Sequence, residues 1–181
     1  SSGLSWKNEY NKVHLSAIHD GLTGLLNHKA FLKRFDQELS RANRFNQSLG
    51  LIVLDLDKFK TINDTYGHLY GDYVLKEVSK IISENIRTID VVGRYGGEEF
   101  TVILPQTSGE NAMVAAERVR ESVSSLNLVT PGGLELPPLT ISIGVSELTA
   151  SESMEQLIEA ADRALYTAKE SGRNRVHNAT V

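Results

Sequence analysis

The chain of 181 residues has no cysteine, one tryptophan and only four prolines. Without cysteine, disulfides, thiolate zinc sites and cysteine nucleophiles are all excluded. No apolar run reaches the roughly 18 residues that a membrane-spanning helix needs. A secretory signal peptide is not visible either. These absences are compatible with a reducing compartment but do not establish one, and we expect no direct contact of this part of the protein with a membrane.

An excess of basic residues is also missing. The chain has 19 Lys and Arg against 23 Asp and Glu, which gives a net charge of −4. A general nucleic-acid binder normally carries a basic excess, so we expect no nucleic-acid partner. Apolar residues make up 40% and charged residues 23% of the chain, as in an ordinary globular protein. This length suffices for one compact domain with a short extension.

The first 19 residues are polar, and they predict a helical lead-in or linker. Residues 1–3, Ser-Ser-Gly, resemble a cloning remnant, so we expect the chain to be cut from a longer protein. Spaced apolar residues form only a thin seam, at Leu4, Leu15, Ile18 and Leu22. A seam this thin is typical of a connector or half of a coiled coil.

The rest of the chain alternates between helical and strand patterns. Leu49–Leu56 is an apolar run too short for a helix, which suits a strand buried on both faces. Gly96-Gly97 separates two short β patterns and predicts a hairpin. A helical face is predicted at Phe31, Phe35, Leu39, Ala42 and Phe45. The pattern favours an α/β or α+β fold with a central sheet flanked by helices.

Two helix starts are predicted by the spacing of a capping box, in which a Ser or Thr is followed three residues later by Glu or Gln. One pairs Thr107 with Glu110, and the other pairs Ser153 with Gln156. Each precedes a segment with helical apolar periodicity.

Two aspartates, Asp55 and Asp57, stand at the end of the apolar strand. Residues two apart on a strand project to the same side. Carboxylates there are unfavourable unless they are exposed or bound to a cation, and hard oxygen ligands suit Mg²⁺. The alternative is that both aspartates cap the following helix, and for an isolated Asp-x-Asp that alternative is favoured.

Two further acids, Glu98 and Glu99, follow the glycine turn. Glycine lets a backbone approach a ligand closely, and neighbouring strand residues point to opposite faces. Alone, the segment is equally a plain hairpin with solvated acids. Together with the acids of the first strand it predicts a metal site.

Residues 96–100, Gly-Gly-Glu-Glu-Phe, match the GGDEF signature of the diguanylate cyclases in its GGEEF form. Five more motifs resemble the same family in the same order, at residues 20–27, 55–60, 63–72, 141–145 and 168–174. Six motifs in register are far more specific than one short match. His28 departs from the pattern, because an arginine is more usual there; we expect it not to affect the chemistry.

The resemblance implies that two GTP molecules are joined into cyclic di-GMP with release of two pyrophosphates. It also implies a fold similar to polymerase palms and class III adenylate cyclases, with a ferredoxin-like, mainly antiparallel sheet. Residues 20–177 would be the catalytic domain and residues 178–181 a tail. Each subunit of a homodimer would hold one GTP, in the cytoplasm, and the parent protein would be cytosolic or tethered to a membrane.

Family resemblance also implies roles for individual residues. Asp55, Glu98 and Glu99 would be catalytic, and Mg²⁺ or Mn²⁺ would be held by Asp55, the Leu56 carbonyl and Glu98. Guanine would be read by Asn63 and Asp72, with His68 lining the same pocket. The glycine turn, Gly96 and Gly97, would let the nucleotide lie close to the backbone.

Lys169 and Arg173 match the family's triphosphate-binding positions. Their alternative role is to complement a helix C-terminus. His68 has an alternative too, as an ordinary residue on a helix face. Both alternatives stay open from the sequence.

A regulatory site is implied by Arg87 and Asp90, which resemble the family's R-x-x-D inhibitory site for the product, with Arg118 as a further contributor. The alternative is a local ion pair. For the whole chain, the alternatives are a catalytically silent receptor for cyclic di-GMP and an enzyme that makes a hybrid product from ATP as well. The complete set of acids and glycines favours the cyclase.

Overall fold

The computed structural model describes residues 5–10 and 17–179. Its helices are α1 (His28–Phe45), α2 (Phe59–Tyr66), α3 (His68–Glu84), α4 (Gly109–Ser124) and α5 (Met154–Glu170). Its strands are β1 (Leu49–Leu56), β2 (Val91–Arg94), β3 (Glu99–Pro105), β4 (Ile141–Glu147) and β5 (Val176–Asn178).

The five strands form one sheet in the order β2-β3-β1-β4-β5. The pairs β2–β3, β3–β1 and β1–β4 are antiparallel, and β4–β5 is parallel. The prediction of an α/β fold with a mainly antiparallel central sheet is confirmed. β2 and β3 form the predicted hairpin, with Gly96-Gly97 in its turn.

The central strand β1 is buried along its whole length, and its two faces meet different helices. Leu49, Leu51 and Val53 pack in a cluster with α1 and α5. Ile52, Leu54 and Leu56 pack in the other cluster, with α3 and α4. Burying each such side chain contributes about 1.5–3 kcal/mol, which explains the uninterrupted apolar run. Asp55 continues the first series, on the side of α5.

Most of the predicted apolar face of α1 is buried, at Phe31, Phe35, Leu39 and Ala42. The prediction for Phe45 is wrong, because this side chain is 59% exposed. Phe45 is the last residue of the helix. The next residue, Asn46, has a left-handed φ of 52°, so the chain turns away from the core.

The capping box at Ser153 and Gln156 is confirmed at the start of α5. The one predicted at Thr107 is wrong by one residue, because Ser108 caps α4 and accepts a hydrogen bond from the Asn111 amide. Thr107 instead donates its hydroxyl to the Pro105 carbonyl at 2.9 Å. This side chain therefore satisfies a carbonyl at the end of β3 instead of an amide at the start of α4.

The predicted lead-in is only partly covered by the structure. Residues 5–10 and 17–18 are helical. Leu4 and Leu15 of the predicted seam lie outside the described residues, as do residues 180–181 of the predicted tail. In the part that is described, no helix is both long enough and apolar enough to cross a membrane.

Candidate active site

Asp55 is a buried carboxylate with only one of its oxygens satisfied. Its side chain lies at the end of β1, and the residue is 4% exposed. Oδ2 forms an ion pair with the Lys169 ammonium of α5. Oδ1 is buried without a hydrogen-bond partner. Because a buried carboxylate needs compensating charge and hydrogen bonds, Oδ1 is available to a cation.

The glycine hairpin brings two more acids to Asp55. The Leu56 amide donates to the Glu98 carbonyl at 3.3 Å. Glu99 lies directly across from Asp55 in the β1–β3 register. The structure thus brings together the acids that the sequence places 43 and 44 positions apart (98 − 55 and 99 − 55).

Burial and the mutual repulsion of these acids raise the pKa values of Glu98 and Glu99. Burial and the charge of Asp55 together raise the pKa of Glu98 to about 7, while Lys169 acts in the opposite direction. Burial and the charges of Asp55 and Asp162 also raise the pKa of Glu99. A strongly perturbed acid beside a second acid is typical of a functional site.

The donor set fits a magnesium-type ion. Among the described residues, no group of three or more His, Cys, Asp or Glu side chains is placed to hold a metal. Mg²⁺ does not require one, since it usually takes one or two carboxylates plus phosphate oxygens and water. A divalent cation would give Asp55 Oδ1 a partner, and its positive charge would offset the repulsion between Asp55 and Glu98. The Leu56 carbonyl stays a predicted third ligand.

A cavity of about 550 Å³ lies beside these acids, between α2, α3 and the hairpin. Its lining includes Asn63, His68, Asp72, Arg94, Gly97 and Glu98. The three residues predicted to line a guanine pocket therefore share one cavity with a predicted catalytic acid. This position favours the pocket role of His68 over an ordinary helix-face role.

Asn63 lies in the wall of this cavity, and its side-chain oxygen is next to Gly71 of α3. Its Oδ1 atom is buried and has no partner. Native structures rarely leave such an atom unsatisfied, so a bound ligand is a natural partner. Gly71 of α3 makes room for this arrangement, because a Cβ atom there would lie 1.9 Å from Asn63 Oδ1.

Arg94 is a site residue that the sequence reasoning missed. Its guanidinium pairs with Asp20 at 3.2 Å and donates to the Gly97 carbonyl at 2.7 Å. Its Nε atom is buried without a partner, and the side chain lines the cavity. The signal that could have found it is an arginine two positions before the glycine turn together with the first aspartate of the motif at residues 20–27.

The two predicted triphosphate residues occupy different places. Lys169 contacts Asp55, next to the acids. Arg173 follows α5 with a left-handed φ of 62° and lines a separate cavity of about 390 Å³. That cavity also contains Lys58, Tyr66, Pro137 and Pro138. In this conformation the two cations do not converge on one cavity.

Asp57 plays a structural part. It accepts from the Thr140 and Ser142 hydroxyls at 2.7 Å each and from the Asn174 amide at 3.0 Å. The idea that the aspartates of β1 cap the next helix is wrong, since α2 has no side-chain cap. Asp57 instead ties the end of β1 to β4 and to the turn after α5.

The predicted inhibitory residues also meet at a cavity, of about 280 Å³, lined by Arg87, Asp90, Thr107, Asn111 and Arg118 among others. Arg87 and Asp90 form an ion pair at 2.8 Å. Arg87 also donates to the Pro105 carbonyl at 2.9 Å and to the Thr107 hydroxyl at 2.7 Å. Arg118 donates to the Asn85 carbonyl at 2.6 Å. The local ion pair is therefore present, and it lies in the wall of a cavity.

Comparison with known proteins agrees with this geometry. The family described as "Diguanylate cyclase, GGDEF domain" matches residues 17–175. Diguanylate cyclase DosC of Escherichia coli (strain K12) is 42% identical over 157 residues, which cover 87% of this chain and 34% of DosC. The chain thus spans about a third of the length of that relative.

Similar solved structures include the GGDEF domain of DgcB from Caulobacter crescentus in complex with c-di-GMP. It is 38% identical with a TM-score of 0.89, and the match covers 91% of this chain and 97% of that one. The active GGEEF domain of a diguanylate cyclase from Vibrio cholerae is 33% identical with a TM-score of 0.80, covering 86% of this chain and 97% of that one. From the family match and these relatives, the chain belongs to the GGDEF-domain family of diguanylate cyclases.

Proposed function

We propose that residues 20–177 are the catalytic domain of a diguanylate cyclase, which joins two GTP molecules into cyclic di-GMP and releases two pyrophosphates. The observation that carries the proposal is the convergence of Asp55 and Glu98 beside the cavity of Asn63 and Asp72. The named diguanylate cyclases among the relatives support the same reaction.

Asp55, Glu98 and the Leu56 carbonyl would hold Mg²⁺ or Mn²⁺. When bound, the ion stabilises negative charge on the reacting phosphate. Glu98 accepts the proton of the attacking 3′-hydroxyl, because its side chain lines the cavity that holds the nucleotide. The 3′-oxygen then bonds to the α-phosphorus of the second GTP, and the bond to pyrophosphate breaks. Glu99 assists from the facing position on β3.

Asn63 and Asp72 recognise guanine in the 550 Å³ cavity. A carboxylate accepts from the N1 and N2 donors of guanine, and the unpaired Oδ1 of Asn63 adds another acceptor. His68 lines the same pocket, and the turn at Gly96 and Gly97 lets the nucleotide lie against the backbone. Lys169, beside Asp55, binds the triphosphate as a point charge. Arg173 lines the separate 390 Å³ cavity, so its predicted fork-like contact with the triphosphate requires the turn after α5 to move.

Turnover requires a homodimer, because each chain offers one guanine cavity with these residues in its described part and the reaction joins two nucleotides. The lead-in of residues 1–19, which the sequence predicts to be helical, brings two copies together in this proposal and raises their effective concentration. The reaction draws on cytoplasmic GTP, and the parent protein is either cytosolic or membrane-tethered.

Cyclic di-GMP acts as a product inhibitor at the cavity of Arg87, Asp90 and Arg118. Arginine forks match phosphate and guanine acceptors, and aspartate matches guanine donors. The relative from Caulobacter crescentus, crystallised with c-di-GMP, supports binding of this ligand by such a domain.

Incubation with GTP and Mg²⁺, followed by chromatography, tests the proposal. The expected result is cyclic di-GMP and pyrophosphate in a ratio of one to two. A protein that binds cyclic di-GMP but makes none would be a receptor instead. Competition between GTP and ATP tests the third possibility, and a mixed dinucleotide would refute strict use of GTP.

A further inference from the structure

His28, the first residue of α1, contacts the glycine hairpin from outside the sheet. Its ring stacks on the Tyr95 ring, with centroids 4.3 Å apart and planes 22° from parallel. Its Nδ1 atom lies 3.1 Å from the Tyr95 carbonyl oxygen. Since a carbonyl only accepts, Nδ1 carries the proton and donates. One side chain thus holds both the ring and the backbone of Tyr95.

Tyr95 is the last residue before the glycine turn. Its amide and the Gly96 amide both donate to the Glu99 carbonyl, at 2.8 and 3.3 Å. Its ring also packs edge-on against Phe31, a core residue of α1. Two consecutive glycines restrain the backbone little, so the position of Glu98 depends on how firmly the base of the turn is held.

Arg94 also connects this hairpin to the chain segment before α1, because its guanidinium pairs with Asp20 and donates to the Gly97 carbonyl within the turn. The Arg94 amide donates to the Leu26 carbonyl at 2.9 Å, and Leu26 pairs with Gly93. His28 adds a separate contact, at Tyr95, the residue that directly precedes the glycines.

We propose that His28 is a positioning residue for the hairpin: through Tyr95 it holds the glycine turn in the conformation that places Glu98 beside Asp55. This inference rests on the proposed function for its effect on turnover, but not for its effect on the turn itself. It replaces the expectation from sequence that the departure at position 28 has no bearing on the chemistry.

The test compares H28A with H28R and with K29A, a matched control at the neighbouring exposed position of α1. H28A removes both contacts, and we expect kcat to fall about three- to tenfold, in line with the loss of one stacked, hydrogen-bonded pair. The KM for GTP stays within about twofold, because Asn63 and Asp72 lie on other elements. H28R restores most of kcat, since a guanidinium both donates and stacks on aromatic rings.

Amide hydrogen exchange supplies a second measurement that does not need turnover. We expect the Tyr95 and Gly96 amides to exchange faster in H28A and at the parental rate in H28R and K29A. If wild-type protein makes no product, the proposed function fails while the exchange result still tests His28. Parental kcat and parental exchange in H28A would overturn the inference, as would an equal loss in K29A.

Discussion

The cluster at Asp55 and the cluster at Arg87 are both charged and both border a cavity, but they satisfy their charges in opposite ways. At the first, Asp55 Oδ1 and Asn63 Oδ1 are buried without partners, and burial together with the charge of Asp55 raises the pKa of Glu98. At the second, Arg87 has acceptors in Asp90, Pro105 and Thr107, and Arg118 is bonded to a carbonyl.

The difference indicates how each site responds to a ligand. At the first site, a ligand that contacts Asp55 Oδ1 or Asn63 Oδ1 replaces no existing hydrogen bond of those two atoms. At the second site a ligand must replace existing bonds, so only a partner with matching phosphate and base edges competes. This difference is consistent with the proposed roles, turnover at the first site and regulation by product at the second.

The largest effect is expected from a substitution of Glu98 in the cluster at Asp55. E98Q should lower kcat about 10³-fold, since it removes the proton acceptor and one metal ligand. GTP affinity should change little, because Asn63 and Asp72, which are proposed to bind guanine, are unchanged in this variant. Steady-state kinetics and equilibrium GTP binding measure the two, with E155Q on the exposed side of α5 as control. Substantial synthesis by E98Q would show that the chemistry is misplaced.

The next largest effect is expected from a substitution of Arg87 in the second cluster. R87A should raise the cyclic di-GMP concentration for half-inhibition by about 10- to 100-fold, because a charge-assisted fork is lost. Inhibition curves for each variant, scaled to its own uninhibited rate, measure this. R118A is informative beside it, since it leaves the Arg87–Asp90 ion pair intact. K80A, at an exposed ion pair on α3, serves as the control. Parental inhibition in both arginine variants would rule out this cavity.

Proton competition sharpens the comparison. Glu98 has a pKa raised to about 7, so below that pH it is protonated and an incoming cation must displace the proton. The half-saturating Mg²⁺ concentration should therefore fall about tenfold from pH 6 to pH 8, as linkage predicts. A Mg²⁺ requirement that is flat with pH would contradict the assignment.

The same raised pKa affects the stability of the metal-free protein. The contribution of Glu98 to the free energy of unfolding should decrease as the pH rises from the ordinary glutamate pKa of 4.5 to about 7.

The smallest effect is expected from a substitution of Gly71, which leaves space for the side chain of Asn63. G71A puts a methyl group where Asn63 Oδ1 lies, so the side chain must move. Losing its hydrogen bond to substrate should raise the KM for GTP about fivefold. G21A is the matched control, because a Cβ atom there meets nothing within 4 Å. An unchanged KM in G71A would separate Asn63 from guanine binding.

Local pattern sufficed for much of the fold. The apolar run of β1, the glycine hairpin and the capping box of α5 each depend on neighbouring residues, and each is confirmed. The errors fall at helix ends, at Phe45 and Thr107, where one backbone dihedral or one competing hydrogen bond decides the outcome.

The motifs predicted which residues belong to the candidate site. They did not predict which of these residues contact one another. Lys169 reaches Asp55 across 114 positions of sequence, and Arg94 reaches Asp20 across 74. No periodicity reports such pairs, because they depend on how β1, α5 and the hairpin meet. For the same reason the stack of His28 on Tyr95 was invisible beforehand.

Product formation as a function of protein concentration tests the central claim most directly. Wild-type chain, GTP and Mg²⁺ should give cyclic di-GMP at a rate per protomer that rises with concentration and then levels off, as a dimer of two half-sites requires. No cyclic di-GMP at any concentration, with GTP and Mg²⁺ demonstrably bound, would contradict the claim that Asp55 and Glu98 form a synthetic centre.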